Sequence, residues 1–201
     1  MSLAPPKITC LFFNDPSLPA FLNAPAGRAL AGDLLVECSL HPALGYVLNL
    51  ETPTNYPGVA GLLGGVDIGT LAHPTDALPA PILLAAGAPV SPLAVRASLA
   101  RLLRPDDRLR AVTLLVPISE ARALGAALSL ADRFAIAWDT TAFPHEELVE
   151  FARWLAAEKL LGPANFAGLH AYTTGAAPTS HTQRLTALLA PLGARLTAVA
   201  A

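Results

Sequence analysis

Residues 111–138 read AVTLLVPISEARALGAALSLADRFAIAW, and this stretch decides the fold. Ala111–Val116 is almost wholly apolar, the pattern of a strand covered on both faces. Ser119 then offers a side-chain acceptor at a helix N-cap. Ala121, Leu124, Leu128 and Ala131 follow at helical spacing, so the segment has one apolar face. From Phe134 the period drops to two, with Phe134, Ile136 and Trp138 alternating with Ala135 and Ala137. Strand, helix and strand in that order predict a crossover connection and a parallel pair.

The same rhythm continues on either side. Upstream, Ile82–Ala86 is an apolar run, and Pro92–Arg104 places Val95, Leu99, Leu102 and Leu103 on one helical face. Pro92 suits a first turn, where a missing N–H costs nothing. Downstream, Pro144 opens a helix whose buried stripe is Leu148, Phe151, Ala152 and Leu155. Glu146 and Glu147 favour its positive end, and Gly162-Pro163 stops it. Phe166–Tyr172 reads as the next strand. Ser180 and Gln183 form a capping box for a helix carrying Leu185, Leu188, Leu189 and Leu192, with Gly193 as its C-cap. Arg195–Ala200 closes as a last strand.

Before residue 80 the texture differs. Lys7–Phe13 is an apolar run ended by Asn14-Asp15-Pro16. Asp33–Leu40 and Gly45–Glu51 both alternate, and His41–Leu44 is short enough to join them as a hairpin. Val66–Leu71 reads as a further short strand. The fold predicted is therefore α/β: a three-layer sandwich with a mostly parallel sheet in the C-terminal part and an N-terminal β-rich hairpin lobe. A two-layer α+β sheet is the alternative. Residues 1–201 are expected to form one domain, with the lobe at 1–79 and the βα repeats at 80–201.

Composition bounds the function. The chain is 53% hydrophobic and only 14% charged, against about 25% charged in ordinary domains, and its mean hydropathy is +0.49. Yet the longest apolar run, residues 78–90, carries Pro79, Pro81 and Pro89 and falls short of the roughly 18 residues a membrane span needs. The N-terminus has no apolar signal region. A cytoplasmic protein without membrane contact is expected, its surplus apolar surface covered by self-association as a homodimer or higher oligomer. Arg96, Arg101, Arg104, Arg108 and Arg110 are interrupted by Asp106 and Asp107. They read as a solvated face, so no nucleic-acid partner is expected. Cys10 and Cys38 sit inside apolar runs and read as buried, inert thiols.

Familiar motifs are missing. Gly61, Gly64, Gly65 and Gly69 lack the Lys and Ser/Thr of a phosphate loop and the spacing of a dinucleotide fingerprint. Asp67, His73 and Asp76 are too loosely spaced for a metal set, and His145-Glu146-Glu147 meets Val149 where a zinc helix needs its second His. No metal is expected and no cofactor is indicated.

One constellation remains. In open α/β sheets ligands bind beyond the carboxyl ends of the strands. The loops predicted there carry Asp139 and Thr140, then Thr173, Thr174 and Gly175, then Ser180 and His181. Hydroxyls and helix N-termini suit an anion. Thr140, Thr173, Thr174, Gly175 and Ser180 are the candidate ligand-binding residues, and Asp139 and His181 the candidates for proton chemistry. The reading is a small-molecule-binding α/β protein, an enzyme on an anionic metabolite if those two act. Its alternative is a non-catalytic subunit or scaffold that self-associates through an apolar interface.

Overall fold

The computed structural model describes residues 4–14, 18–41, 43–51, 55–85, 91–102, 109–139, 145–158, 166–173, 183, 187 and 196–200. Among the described residues seven strands build one sheet: β1 (Lys7–Phe13), β2 (Leu34–Glu37), β3 (Ile82–Leu83), β4 (Ala111–Pro117), β5 (Arg133–Asp139), β6 (Phe166–Thr173) and β7 (Leu196–Ala200). Their order across the sheet is β3-β2-β4-β1-β5-β6-β7, and every pairing is parallel. The chain first moves from β1 outward to β2 and β3. It returns through β4, then crosses to the other side of β1 for β5, β6 and β7. The direction of winding thus reverses beside β1.

Alternation in the strands divides the core into two layers. Ile8, Cys10 and Phe12 join Val112, Leu114 and Val116, and Phe134, Ile136 and Trp138, on one face. Three helices pack there: α5 (Pro92–Leu102), α7 (Gly125–Leu128) and α8 (His145–Ala157). Phe12 lies flat against Phe134, with centroids 6.1 Å apart, and meets Phe151 of α8 edge-on at 5.0 Å. Leu11, Leu35, Leu115, Ala135 and Ala137 occupy the other face, under α1 (Leu18–Asn23) and α2 (Pro25–Leu30). Where α2 begins its close approach to α1, a Cβ on Gly27 would lie 2.1 Å from the Phe21 carbonyl oxygen, so only glycine fits. The α/β class, the helices on both faces and the parallel sheet agree with the sequence reading.

The N-terminal hairpin does not form, and this corrects that part of the reading. β2 pairs in parallel with β4 and β3 inside the common sheet. The second half of the expected hairpin is instead a short helix, α3 (Leu44–Val47). The Glu37 carboxylate accepts the backbone N–H groups of Ala43 and Leu44 at its start. At its end Asn49 adopts φ 50°. The Asn49 N–H donates to the Tyr46 carbonyl, and the Leu50 N–H to that of Gly45. This is the Schellman closure, with Asn in the left-handed position it tolerates better than most residues. Alternation across 45–51 was therefore a coincidence of a one-turn helix and its cap.

Two smaller differences follow the same physics. The expected strand at Val66–Leu71 is a turn of helix, α4 (Ile68–Leu71), whose N-cap Asp67 accepts the Gly69 N–H at 2.8 Å. The helix expected after Ser119 is broken into α6 (Ile118–Ala121) and α7. Cys10 and Cys38 are buried free thiols. Burial pushes the Cys10 thiol well above its ordinary value, and a thiol held in that form is a poor nucleophile. Among the described residues, no helix is long and apolar enough to cross a membrane.

Candidate functional site

Parallel strands bring their carboxyl ends to one edge, and a cavity opens there beside the reversal of winding. Its volume is about 390 Å³, within the range of small-molecule sites. Phe13 and Asn14 at the end of β1, Glu37 and Ser39 at the end of β2, Pro117 at the end of β4 and Trp138 near the end of β5 all line it. His41, Ala43, Leu44 and Val47 form one wall, Ile118, Ser119 and Glu120 another, and Glu147 reaches in from α8.

Two carboxylates hold the wall made by Ser39, His41, Ala43, Leu44 and Val47. Glu37 is only 2% exposed. Its Oε1 accepts N–H groups from Ala43 (3.0 Å) and Leu44 (2.9 Å), and its Oε2 accepts that of Ala85 (2.9 Å) just past β3. One side chain thus ties three segments together. Burial raises its carboxyl above the ordinary value, the three N–H donors pull it back down, and nearby Glu120 raises it slightly again. Glu120 accepts the Ser39 hydroxyl at 2.9 Å and the Leu40 N–H, and its other oxygen lies 2.9 Å from His41 Nδ1. That last pair is largely open to solvent on the His41 side.

The end of β1 is held differently. The Asn14 side chain accepts the Asp139 N–H at 3.0 Å and donates to the Asp139 carbonyl at 3.5 Å. An uncharged amide therefore bridges the ends of β1 and β5. Behind the pocket, Tyr56 donates to the Leu71 carbonyl at 2.8 Å, and burial pushes its hydroxyl up to about 12.

Asp139 closes β5 and is 2% exposed. It stands opposite Tyr172 in the register, so Thr173 ends the neighbouring strand one residue further on. These two residues share the edge. Thr140, Thr174, Gly175, Ser180 and His181 lie outside the described residues. The sequence reading missed Glu37, Glu120, Asn14 and Trp138. The available signal was an acidic residue ending an otherwise apolar strand. Among the described residues, no group of three His, Cys, Asp or Glu is placed to hold a metal ion.

No protein-family model and no curated protein matches this sequence. Solved structures match in fold. A plasmid partition protein from Borrelia burgdorferi superposes with a TM-score of 0.63 at 14% identity, covering 96% of this chain and 89% of that one. A ParA family ATPase from Chlorobium tepidum gives 0.61 at 12% identity, covering 96% and 83%. Cobyrinic acid a,c-diamide synthase from Mycobacterium smegmatis, solved with an ATP analog and magnesium, gives 0.60 at 18% identity, covering 92% and 80%. At these identities the likeness is one of α/β fold. A phosphate loop needs GxxxxGK[ST] between a strand and a helix. Here Asn14-Asp15-Pro16-Ser17 follows β1, and Lys7 and Lys159 are preceded by Pro6 and Glu158.

Proposed function

We propose that this chain is a small-molecule-binding α/β protein whose ligand occupies the edge cavity over the ends of β1, β2 and β4. The cavity itself carries the reading: about 390 Å³ of space, at the edge and the reversal of winding where open parallel sheets bind ligands. A nucleoside triphosphate is not favoured, because the sequence after β1, Asn14-Asp15-Pro16-Ser17, holds neither glycine nor lysine for its phosphates. Ser119 is exposed on the rim, so Ser119→Trp fills the mouth without disturbing the core. A ligand-observed NMR screen of a small-molecule library is expected to find binders that this variant loses. Binders unaffected by it would place the ligand elsewhere.

The anionic-metabolite reading concerns the other half of the same edge. Its support is the register that sets Asp139 beside the strand ending in Thr173. In it Thr173, Thr174, Gly175 and Ser180 hold the anion and Asp139 or His181 moves a proton. Unchanged ligand affinity and activity in both Asp139→Ala and His181→Ala would remove it.

A second reading is a self-associating, non-catalytic subunit. Tyr46 is 93% exposed and Leu93 74%, which suits a chain with a covered apolar surface. Sedimentation velocity at micromolar concentration is expected to show a dimer or larger species; a monomer would sink the reading.

A further inference from the structure

We propose that the edge cavity selects an organic ammonium ion, an amine carried on an apolar body, over a phosphate or carboxylate of the same size. This rests on the cavity being a ligand site. Glu37, Glu120 and Glu147 all line it, and among the described residues no Lys or Arg does. Among the described residues His41 is the one lining side chain able to carry positive charge, and it is already engaged by Glu120 at 2.9 Å. Backbone N–H groups hold Glu37 in place without adding a full positive charge. The described lining therefore has an excess of acidic side chains over basic ones in a partly desolvated setting, where Coulomb forces are stronger than in water. An anion entering it would meet repulsion with no Lys or Arg of the described lining to offset it.

The rest of the lining says what the ammonium is attached to. Phe13, Leu44 and Val47 line the cavity with apolar and aromatic side chains, and the fully buried Trp138 lies against it. Aromatic faces attract cations as well as covering apolar groups. A bare metal ion would leave that surface unused, whereas an arylalkyl or alkyl amine uses both parts of the wall. Asn14 and Ser119 add polar groups at the opening.

A charge-matched series tests this. Titration calorimetry at pH 8, where a free imidazole is ordinarily neutral, would compare 2-phenylethylamine, 2-phenylethanol and 3-phenylpropionate, with inorganic phosphate and ATP alongside. The amine is expected to bind about tenfold more tightly than the alcohol, and the acid, phosphate and ATP more weakly than either. Glu147 is exposed, so Glu147→Gln should fold normally. It is expected to weaken the amine about threefold and leave the alcohol unchanged. Equal binding of amine and alcohol would overturn the ammonium selection while leaving the cavity a ligand site. Preferred binding of the acid, phosphate or ATP would overturn it in favour of an anion. If none of the series binds while a Ser119→Trp-sensitive ligand exists, the ammonium inference fails alone. If neither is found, both readings fail.

Discussion

The ends of β1 and β2 meet the same cavity but are built from different chemistry. β1 ends on Asn14, a neutral amide bridging to the backbone of Asp139. β2 ends on Glu37, a buried carboxyl that gathers three backbone donors from two other segments. In a phosphate-binding member of such a fold, the turn from strand to helix presents backbone N–H groups to the ligand. In this chain the donors at the start of α3, beyond β2, are taken by a side chain of the protein itself. The contrast teaches that one strand end is held by a neutral amide and the other by a carboxyl that already occupies the backbone donors beside it.

The largest test of the contrast is Glu37→Ala. It strands the N–H groups of Ala43, Leu44 and Ala85, each costing on the order of 1 kcal/mol or more when buried unpaired, so a loss of about 3 kcal/mol is expected in urea denaturation. A loss under about 1 kcal/mol would mean water replaces the carboxylate easily and the two strand ends are equivalent. The same residue carries a pH signature. Its carboxyl sits above the ordinary value of 4.5 in the fold, chiefly from burial, so the folded chain holds that proton more tightly than the unfolded one. The resulting stabilisation is complete below about 4.5 and is lost as pH rises through the folded value. Glu37→Gln is expected to be less stable at every pH, but with a flatter dependence across that window.

Glu120→Ala comes next. It removes the acceptor of the Ser39 hydroxyl and the Leu40 N–H, and about 2 kcal/mol should be lost, with faster amide exchange expected at Leu40. Asn14→Ala breaks the neutral bridge to Asp139, for which about 1 kcal/mol is expected. An effect as large as that of Glu37→Ala would erase the contrast. His41→Ala should change stability least, within about 0.5 kcal/mol, because its pairing with Glu120 is largely exposed.

Much of this architecture is legible from the residues. β4, β5 and α8 announce themselves because each has a long, unmixed period, and burial follows that period directly: Val112–Val116 is buried throughout, as is Phe134–Asp139. The segment 44–50 was not legible. Six or seven residues hold too few repeats to separate a period of two from one of 3.6, and its helix depends on Glu37 at one end and the left-handed Asn49 at the other. The carboxyl edge was a sound place to expect a cavity, since that follows from parallel strands alone. The residues lining it were less visible, because Glu37, Ser39, Glu120 and Trp138 come from distant points of the chain and only the sheet order gathers them.

By itself, then, the sequence determined an α/β chain with a parallel sheet covered on both faces, since apolar periodicity is a local property that each segment carries with it. Strand order was decided only in three dimensions. It placed β1 between β4 and β5, made β2 a sheet strand rather than half a hairpin, and turned Glu37 inward. The reason is that a strand's partners, and the acceptor that satisfies each buried N–H, are set by packing between segments far apart in the chain.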